Sequence, residues 1–221
     1  LSLGEYCAIV TAGEMKLQDA IRITRKRGLL MQNAIPDGQG AMAAVLGLSG
    51  EIVEKTVASM EGVSVANYNC PGQIVITGWT DAVEKAAERL KAAGAKRILP
   101  LKVSGPFHSP LLKEAGKELE EELKNVELSE LKIPYVTNVT AEYVSEIDQT
   151  KELLAKQVAA PVRWQQSVEE MLSQGVDTFI EIGPGRTLTG FMRKISREVR
   201  TYNISTVEDL KKVVNELCKI H

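Results

Sequence analysis

Nucleophilic catalysis needs a hydroxyl or thiol and a base that titrates near neutrality, and the sequence is sparing with the second. It has two histidines, His108 and His221, and the second is the terminal residue. Any histidine chemistry therefore rests on His108. That residue sits in Ser104-Gly105-Pro106-Phe107-His108-Ser109-Pro110, where a glycine and two prolines enforce a loop of the kind that presents side chains. The candidate nucleophile is Ser2. Ser2-Leu3-Gly4 fits the latter half of a G-x-S-x-G elbow, a tight strand-to-helix turn that exposes the hydroxyl and aims the next backbone N–H at an oxyanion. The stretch reads equally as a helix capping box, Ser2-x-x-Glu5, and the two readings are compatible because an elbow serine opens a helix.

Arginine is the third candidate group. Arg22-Ile23-Thr24-Arg25-Lys26-Arg27-Gly28 is a charge run, ordinarily a solvated helix face, and Arg22 and Arg25 fit that description. An arginine buried at the end of the run, such as Arg27, would instead pair a carboxylate through two parallel hydrogen bonds. The run does not by itself choose among its arginines. Gly183-Pro184-Gly185 lacks the spacing of either common phosphate loop and reads as a tight turn. Cys7, Cys70 and Cys218 have neither C-x-x-C nor metal-ligand spacing, so they read as reduced core thiols and no metal site is expected.

The elements that must position these residues follow from periodicity. Small apolar residues over 5–12 and helical spacing over 17–32 predict two helices, with Gly13 ending the first, before a turn cluster at 36–40. Next come an apolar strand at 41–48, a helix at 50–60 opened by Ser49, strands at 63–67 and 73–77 around a turn, a helix at 81–93 and a strand at 97–103. Thr80 is the predicted start of that second helix and Gly94 its stop. This βαββαβ order is that of a ferredoxin-like sandwich, with both helices on one face of a four-stranded sheet. Beyond it, helices are predicted at 110–126, 151–158, 164–174 and 188–199, with strands at 135–138 and 177–182. Strands separated by helices imply a parallel sheet, hence a larger α/β domain interrupted by the smaller one.

Composition bounds the class. The 221 residues are 44% hydrophobic and 25% charged, which excludes a disordered or fibrous chain and predicts one or two domains. A net charge of -2 gives no global reason to bind nucleic acid, although a local basic patch is compatible with it. The apolar stretch at 41–48 is far short of the ~20 residues that span a bilayer, and no leader opens the sequence, so a cytoplasmic protein without a membrane role is expected. The sequence begins at Leu1 with an elbow that no strand precedes, and a cut there is the expectation.

Together these segments resemble the malonyl-CoA:acyl carrier protein transacylases. The family's Ser-Leu-Gly-Glu-Tyr elbow stands at 2–6, its Arg-Gly-x-x-Met-Gln segment at 27–32 and its Gly-Ala-Met-Ala strand start at 40–43. Asn69-Cys70-Pro71-Gly72-Gln73 resembles its Asn-Ser-Pro-Gly-Gln, and Gly94-Ala95-Lys96-Arg97 its Gly-Ala-Lys-Arg. Phe107-His108-Ser109-Pro110-Leu111 resembles the loop of the base, Gln157 and Pro161-Val162-Arg163-Trp164 its Gln and Pro-Val-x-Trp, and residues 181–190 its Glu-x-Gly-Pro-Gly-x-x-Leu-Thr-Gly.

The resemblance implies an α/β fold: an α/β-hydrolase-like large domain with a parallel sheet, residues 1–39 and 105–221 and N-terminally truncated, plus the inserted ferredoxin-like subdomain, residues 40–104. It implies Ser2 as the acylated nucleophile, His108 as general base oriented by the main-chain carbonyl of Gln157, and the Leu3 N–H as an oxyanion donor. Arg27 would pair with the malonyl carboxylate, and Phe107 would favour malonyl over methylmalonyl. Malonyl-CoA would be the substrate and acyl carrier protein the partner, with no bound cofactor. The clusters Arg22/Arg25/Lys26 and Arg186/Arg193/Lys194/Arg197 would offer an acidic carrier protein local positive charge. Two departures stand out. Leu1 occupies the place of a common histidine, and the segment bearing the family's Gly-Gln-Gly-Ser-Gln loop is absent. That loop's glutamine is a second oxyanion donor, and loss of one such donor costs ~10²–10³ in rate, so the polypeptide alone is expected to be weakly active or inactive. The competing expectations are a serine esterase or thioesterase, which needs no carboxylate-pairing arginine, and an inactive fragment serving as an interaction module.

Overall fold

The computed structural model describes residues 1–144 and 146–218; His221 lies outside the described residues. The chain forms two compact units, Leu1–Ser167 and Val168–His221. The elements of the first are α1 (Leu3–Thr11), α2 (Leu17–Asn33), β1 (Gly40–Leu46), α3 (Gly50–Ala58), β2 (Val63–Cys70), β3 (Gln73–Trp79), α4 (Thr80–Ala92), β4 (Arg97–Pro100), a 3₁₀ turn (Pro110–Leu112), α5 (Lys113–Lys124) and α6 (Ile147–Gln157). Helix α7 (Trp164–Ser173) begins in it, and β5 (Thr178–Ile182), α8 (Thr187–Ile195), β6 (Arg200–Ile204) and α9 (Val207–Leu217) follow.

The four-stranded sheet runs β2-β3-β1-β4 and is antiparallel throughout. Alternation sorts its side chains: Ala43, Val45, Ile74 and Ile76 pack with Val53 and Val57 of α3 and Val83, Ala86 and Leu90 of α4. Met42, Ala44, Ala66 and Val75 form the opposite face, against Phe107. Strand β2 is an edge, and its register shifts near Asn67. There the Val162 N–H donates to Ala66 O at 2.8 Å and the Tyr68 N–H donates to Val162 O at 2.9 Å, so the segment after α6 covers an edge that would otherwise be open. A second core joins α1, α2, α5 and α6 through Tyr6, Ile9, Ile23, Leu119, Leu123 and Leu154. Phe107 packs against this core as well, which sets the residue before His108 between two apolar clusters.

Three expectations are corrected. Residues 135–138 are not a strand; Val136 makes an isolated bridge to Tyr143. The pairing does not extend because, at the end of the segment, the Asn138 N–H donates to the Glu5 carboxylate and Asn138 O accepts from Arg163 N–H. Helix α4 begins at Thr80, as expected, with Trp79 at the capping position and the Thr80 hydroxyl donating to Gly38 O. The helix predicted at 188–199 ends at Ile195 because β6 follows, paired parallel with β5 in register Ile180 to Tyr202. Only Cys70 of the three cysteines is buried; Cys7 lies on the outer side of α1, whose inner side carries Tyr6 and Ile9, and Cys218 caps the exposed end of α9.

In the second unit, Glu181 accepts from the Leu188 and Thr189 amides at 2.9 and 2.7 Å and from Asn203 Nδ2 at 2.9 Å. The amides that a phosphate would use at the start of α8 are therefore occupied by a carboxylate, which explains why Gly183-Pro184-Gly185 is a turn and not an anion loop.

Candidate active site

Ser2 immediately precedes α1 at φ 51 and ψ -103, and its side chain makes no capping bond. A non-glycine residue held there stores about 1–3 kcal/mol, and two contacts hold it: the Ser2 N–H donates to Asn138 Oδ1 at 2.6 Å, and Gln157 Nε2 donates to the Ser2 carbonyl at 3.3 Å. The hydroxyl is thereby turned away from the helix and toward His108, whose Nε2 lies 2.9 Å from Ser2 Oγ. Of the two local readings, the elbow prevails over the capping box.

His108 also has a positive φ, 59. Its loop is seated by a close approach at Gly40, where an added Cβ would lie 2.2 Å from Pro106 Cδ. His108 Nδ1 lies 2.9 Å from the main-chain oxygen of Gln157. A carbonyl only accepts, so Nδ1 carries the proton and Nε2 presents its lone pair to the serine hydroxyl. Burial lowers the imidazole pKa to about 4, the Arg27 charge adds to the effect, and backbone groups of Gln157 and Ala160 oppose it. At neutral pH the ring is thus uncharged and able to accept the Ser2 proton.

Arg27 lies on the buried stripe of α2 with Ala20, Ile23 and Met31. That spacing, carried through the charge run, separates Arg27 from Arg22 and Arg25. Its Nη2 donates to Ser2 Oγ at 2.9 Å and to Gln157 Oε1 at 3.0 Å, its plane lies 5.8 Å from the centre of the Tyr6 ring, and its Nε has no partner. Burial lowers its pKa, with Tyr6 and Glu5 opposing; the guanidinium stays charged at any working pH. A buried, incompletely paired cation beside a serine hydroxyl is chemically suited to receive a carboxylate.

Leu3 opens α1 with its side chain 55% exposed. Its amide is the first of the helix, one of those that an intrahelical carbonyl does not satisfy, and stands where the elbow directs an oxyanion donor. Ser2, Leu3, Arg27, His108 and Gln157 are therefore brought together, and Phe107 supports the loop from beneath. In the first basic cluster, Arg22 pairs with Asp19 at 3.2 Å and Lys26 with Glu122 at 3.1 Å. Sequence reasoning missed Glu5 and Asn138. Glu5, 3% exposed, accepts from Thr137 Oγ1 at 2.8 Å, Asn138 N–H at 3.0 Å and Gln157 Nε2 at 2.6 Å. Nothing in the local sequence marks this, because the donors come from residues more than 130 positions away. Among the described residues, no cluster of three or more His, Cys, Asp or Glu could hold a metal, and no helix is long and apolar enough to cross a membrane.

An α/β chain with a serine, histidine and arginine so arranged falls in a recognisable class, that of the acyl transferase domain, whose family model matches residues 1–214. Among curated proteins, the malonyl CoA-acyl carrier protein transacylase of Bacillus subtilis (strain 168) is 43% identical over 220 residues, 98% of this chain and 69% of its own length. Among solved structures, the transacylase of Clostridium perfringens superposes with a TM-score of 0.95 at 41% identity, covering 100% of this chain and 70% of that one. A malonyl-transacylase solved in complex with a type II polyketide synthase acyl carrier protein superposes with a TM-score of 0.94 at 39% identity, covering 98% of this chain and 71% of that one. The chain belongs to the malonyl CoA-acyl carrier protein transacylase family.

Proposed function

We propose that this protein transfers a malonyl group from malonyl-CoA to the phosphopantetheine thiol of acyl carrier protein, through an ester on Ser2. The observation that carries the reading is the position of Ser2 Oγ, 2.9 Å from both His108 Nε2 and Arg27 Nη2. Ser2 Oγ attacks the thioester carbon as its proton passes to His108, and the oxyanion is received by the Leu3 N–H. Collapse breaks the C–S bond, and His108 returns the proton to the departing CoA thiolate. In the second half, His108 takes the carrier thiol proton, the thiolate attacks the ester, and Ser2 leaves with that proton. Arg27 turns from Ser2 Oγ to the malonyl carboxylate, a task that an esterase does not require. Phe107 narrows the acyl pocket in favour of malonyl.

The reading needs no metal or redox cofactor, since both half-reactions are acyl exchanges, and its setting is cytoplasmic fatty acid synthesis. We read residues 40–104 as a ferredoxin-like subdomain, supported by the strand order β2-β3-β1-β4 and by α3 and α4 sharing one apolar face. Residues 1–39 and 105–221 are read as the hydrolase-like acyltransferase domain, supported by the strained elbow at Ser2. Intact-mass measurement after exposure to malonyl-CoA should find one malonyl group on the protein and none on Ser2→Ala; an adduct that survives in Ser2→Ala refutes the nucleophile, and thioester hydrolysis without an adduct favours a hydrolase.

A further inference from the structure

We propose that Glu5 is a positioning residue of the site: its buried carboxylate holds the side chain of Gln157 in the one orientation that leaves an acceptor for Arg27, and so governs preference for a carboxylate-bearing acyl group. The inference rests on the functional reading above, and deepens it.

Glu5, His108, Arg27 and Gln157 are all at least nine-tenths buried, and Gln157 is 0% exposed. Water is not available to repair a misdirected amide there, so its partners decide its orientation. The Gln157 Nε2 end meets two acceptors, Glu5 Oε2 at 2.6 Å and Ser2 O at 3.3 Å, while its Oε1 end meets a donor, Arg27 Nη2 at 3.0 Å. Reversing the amide would set oxygen against carboxylate and NH₂ against guanidinium. A carboxylate at Glu5 therefore gives the chain of bonds its polarity. The other donors to Glu5 tie down the remaining branch: Asn138, whose backbone N–H goes to Glu5, accepts the Ser2 N–H through its own side chain, and the Thr137 hydroxyl completes the set. Burial raises the Glu5 pKa and the three donors lower it; the Asn138 and Gln157 N–H groups require an acceptor, the role that ionised Glu5 fills.

The dependence of Arg27 on this chain is what distinguishes positioning from simple support of the fold. Glu5→Gln can keep its oxygen where Asn138 N–H and Gln157 Nε2 meet Oε2 and turn its NH₂ to the Thr137 hydroxyl, but in Glu5→Met both oxygens are gone and all three donors lose this partner. Gln157 is then released to reverse, and its NH₂ displaces Arg27 from the place where it meets a malonyl carboxylate. Acetyl-CoA presents the same thioester to Ser2 and His108 but has no carboxylate to meet Arg27.

The test compares kcat/KM for malonyl-CoA and acetyl-CoA in wild type, Glu5→Met, Glu5→Gln, Gln157→Ala and the Glu5→Met/Gln157→Ala double variant, after thermal unfolding has verified that each is folded. The expected result is a malonyl-to-acetyl ratio about ten- to a hundredfold lower in Glu5→Met, the range for an orphaned buried group, near the wild-type value in Glu5→Gln, and with no further fall when Glu5→Met is added to Gln157→Ala. An equal loss for both acyl groups, or fully additive losses in the double variant, overturns the proposal. Should Glu5→Met not fold, Gln157→Glu probes the same contact: two carboxyls that close must share one proton, so the ratio should vary between pH 5 and 8 where the wild-type ratio is flat. A flat ratio in that variant also overturns the proposal. Absence of any malonyl ester on wild type would instead refute the functional reading.

Discussion

Acidification protonates an ordinary histidine near pH 6.5, and His108 is held near 4. The groups that face it are Ser2 from the elbow, Arg27 from α2 and the carbonyl of Gln157 from α6. Burial is the largest cause of the shift and the Arg27 charge the second. A displacement from 6.5 to about 4 corresponds to about 3 kcal/mol, at 1.36 kcal/mol for each unit. Because the folded pKa is depressed, the unfolded chain binds a proton first, so folding stability falls as pH is lowered from 6.5 toward 4 by that amount. Glu5 and Glu14, whose folded pKa values are raised, act in the opposite sense over the carboxylate range, so the difference between wild type and His108→Gln isolates the histidine. Proton NMR provides the direct assay: the chain has two histidines, and the signal missing from His108→Gln identifies the buried ring. That signal should titrate near pH 4, and kcat/KM for Ser2 acylation should stay level down to about pH 5 before falling. In Arg27→Met the midpoint should rise yet remain below 6.5, since burial persists. A wild-type midpoint at 6.5 would refute a buried, neutral base, and full restoration in Arg27→Met would show that the charge, not burial, sets the value.

Arg27→Ala should lower kcat/KM for malonyl-CoA by roughly 10²–10³, the worth of a charge-assisted pair in a buried site, while acetyl-CoA loses far less; equal losses in steady-state assays would sever Arg27 from the carboxylate. Gly40→Ala places a methyl 2.2 Å from Pro106 Cδ in the loop that carries His108. It should cost about 1–3 kcal/mol in denaturant unfolding and also slow acylation; unchanged rates would mean that the loop adjusts independently of the histidine. Glu14 is 1% exposed, and burial raises its pKa by more than the Thr150 hydroxyl lowers it. Glu14→Leu should therefore stabilise the fold by about 1–3 kcal/mol, more at pH 7 than at pH 4, because the unfolded carboxyl ionises first as pH rises; a lower Tm at pH 7 would overturn this.

What could be read in the sequence was what local spacing determines. The apolar run through residues 41–48 and the short strand-like segment at 73–77 mark strands, and the observed β1 and β3 fall on those segments with both faces of the sheet buried. His108 was found by scarcity, and Ser2 by the turn chemistry of Ser-Leu-Gly. Strand β6 and helix α9 were missed, although Thr206-x-x-Asp209 is a capping box that the structure forms in full; the basic amphipathic spacing of α8 was extended across Ser196, where the chain turns extended before β6. Glu5 was hidden for a different reason. On a helix, a glutamate three places after a serine looks like a cap or a solvated charge, and its environment is decided by Thr137, Asn138 and Gln157 only once the chain has closed on itself. Ser2 and His108 belong to local motifs because their backbone geometry is that of a strained turn and a loop. The groups that orient them are distributed because a buried carboxylate is tolerated only where several distant donors converge, and such convergence leaves no spacing to read.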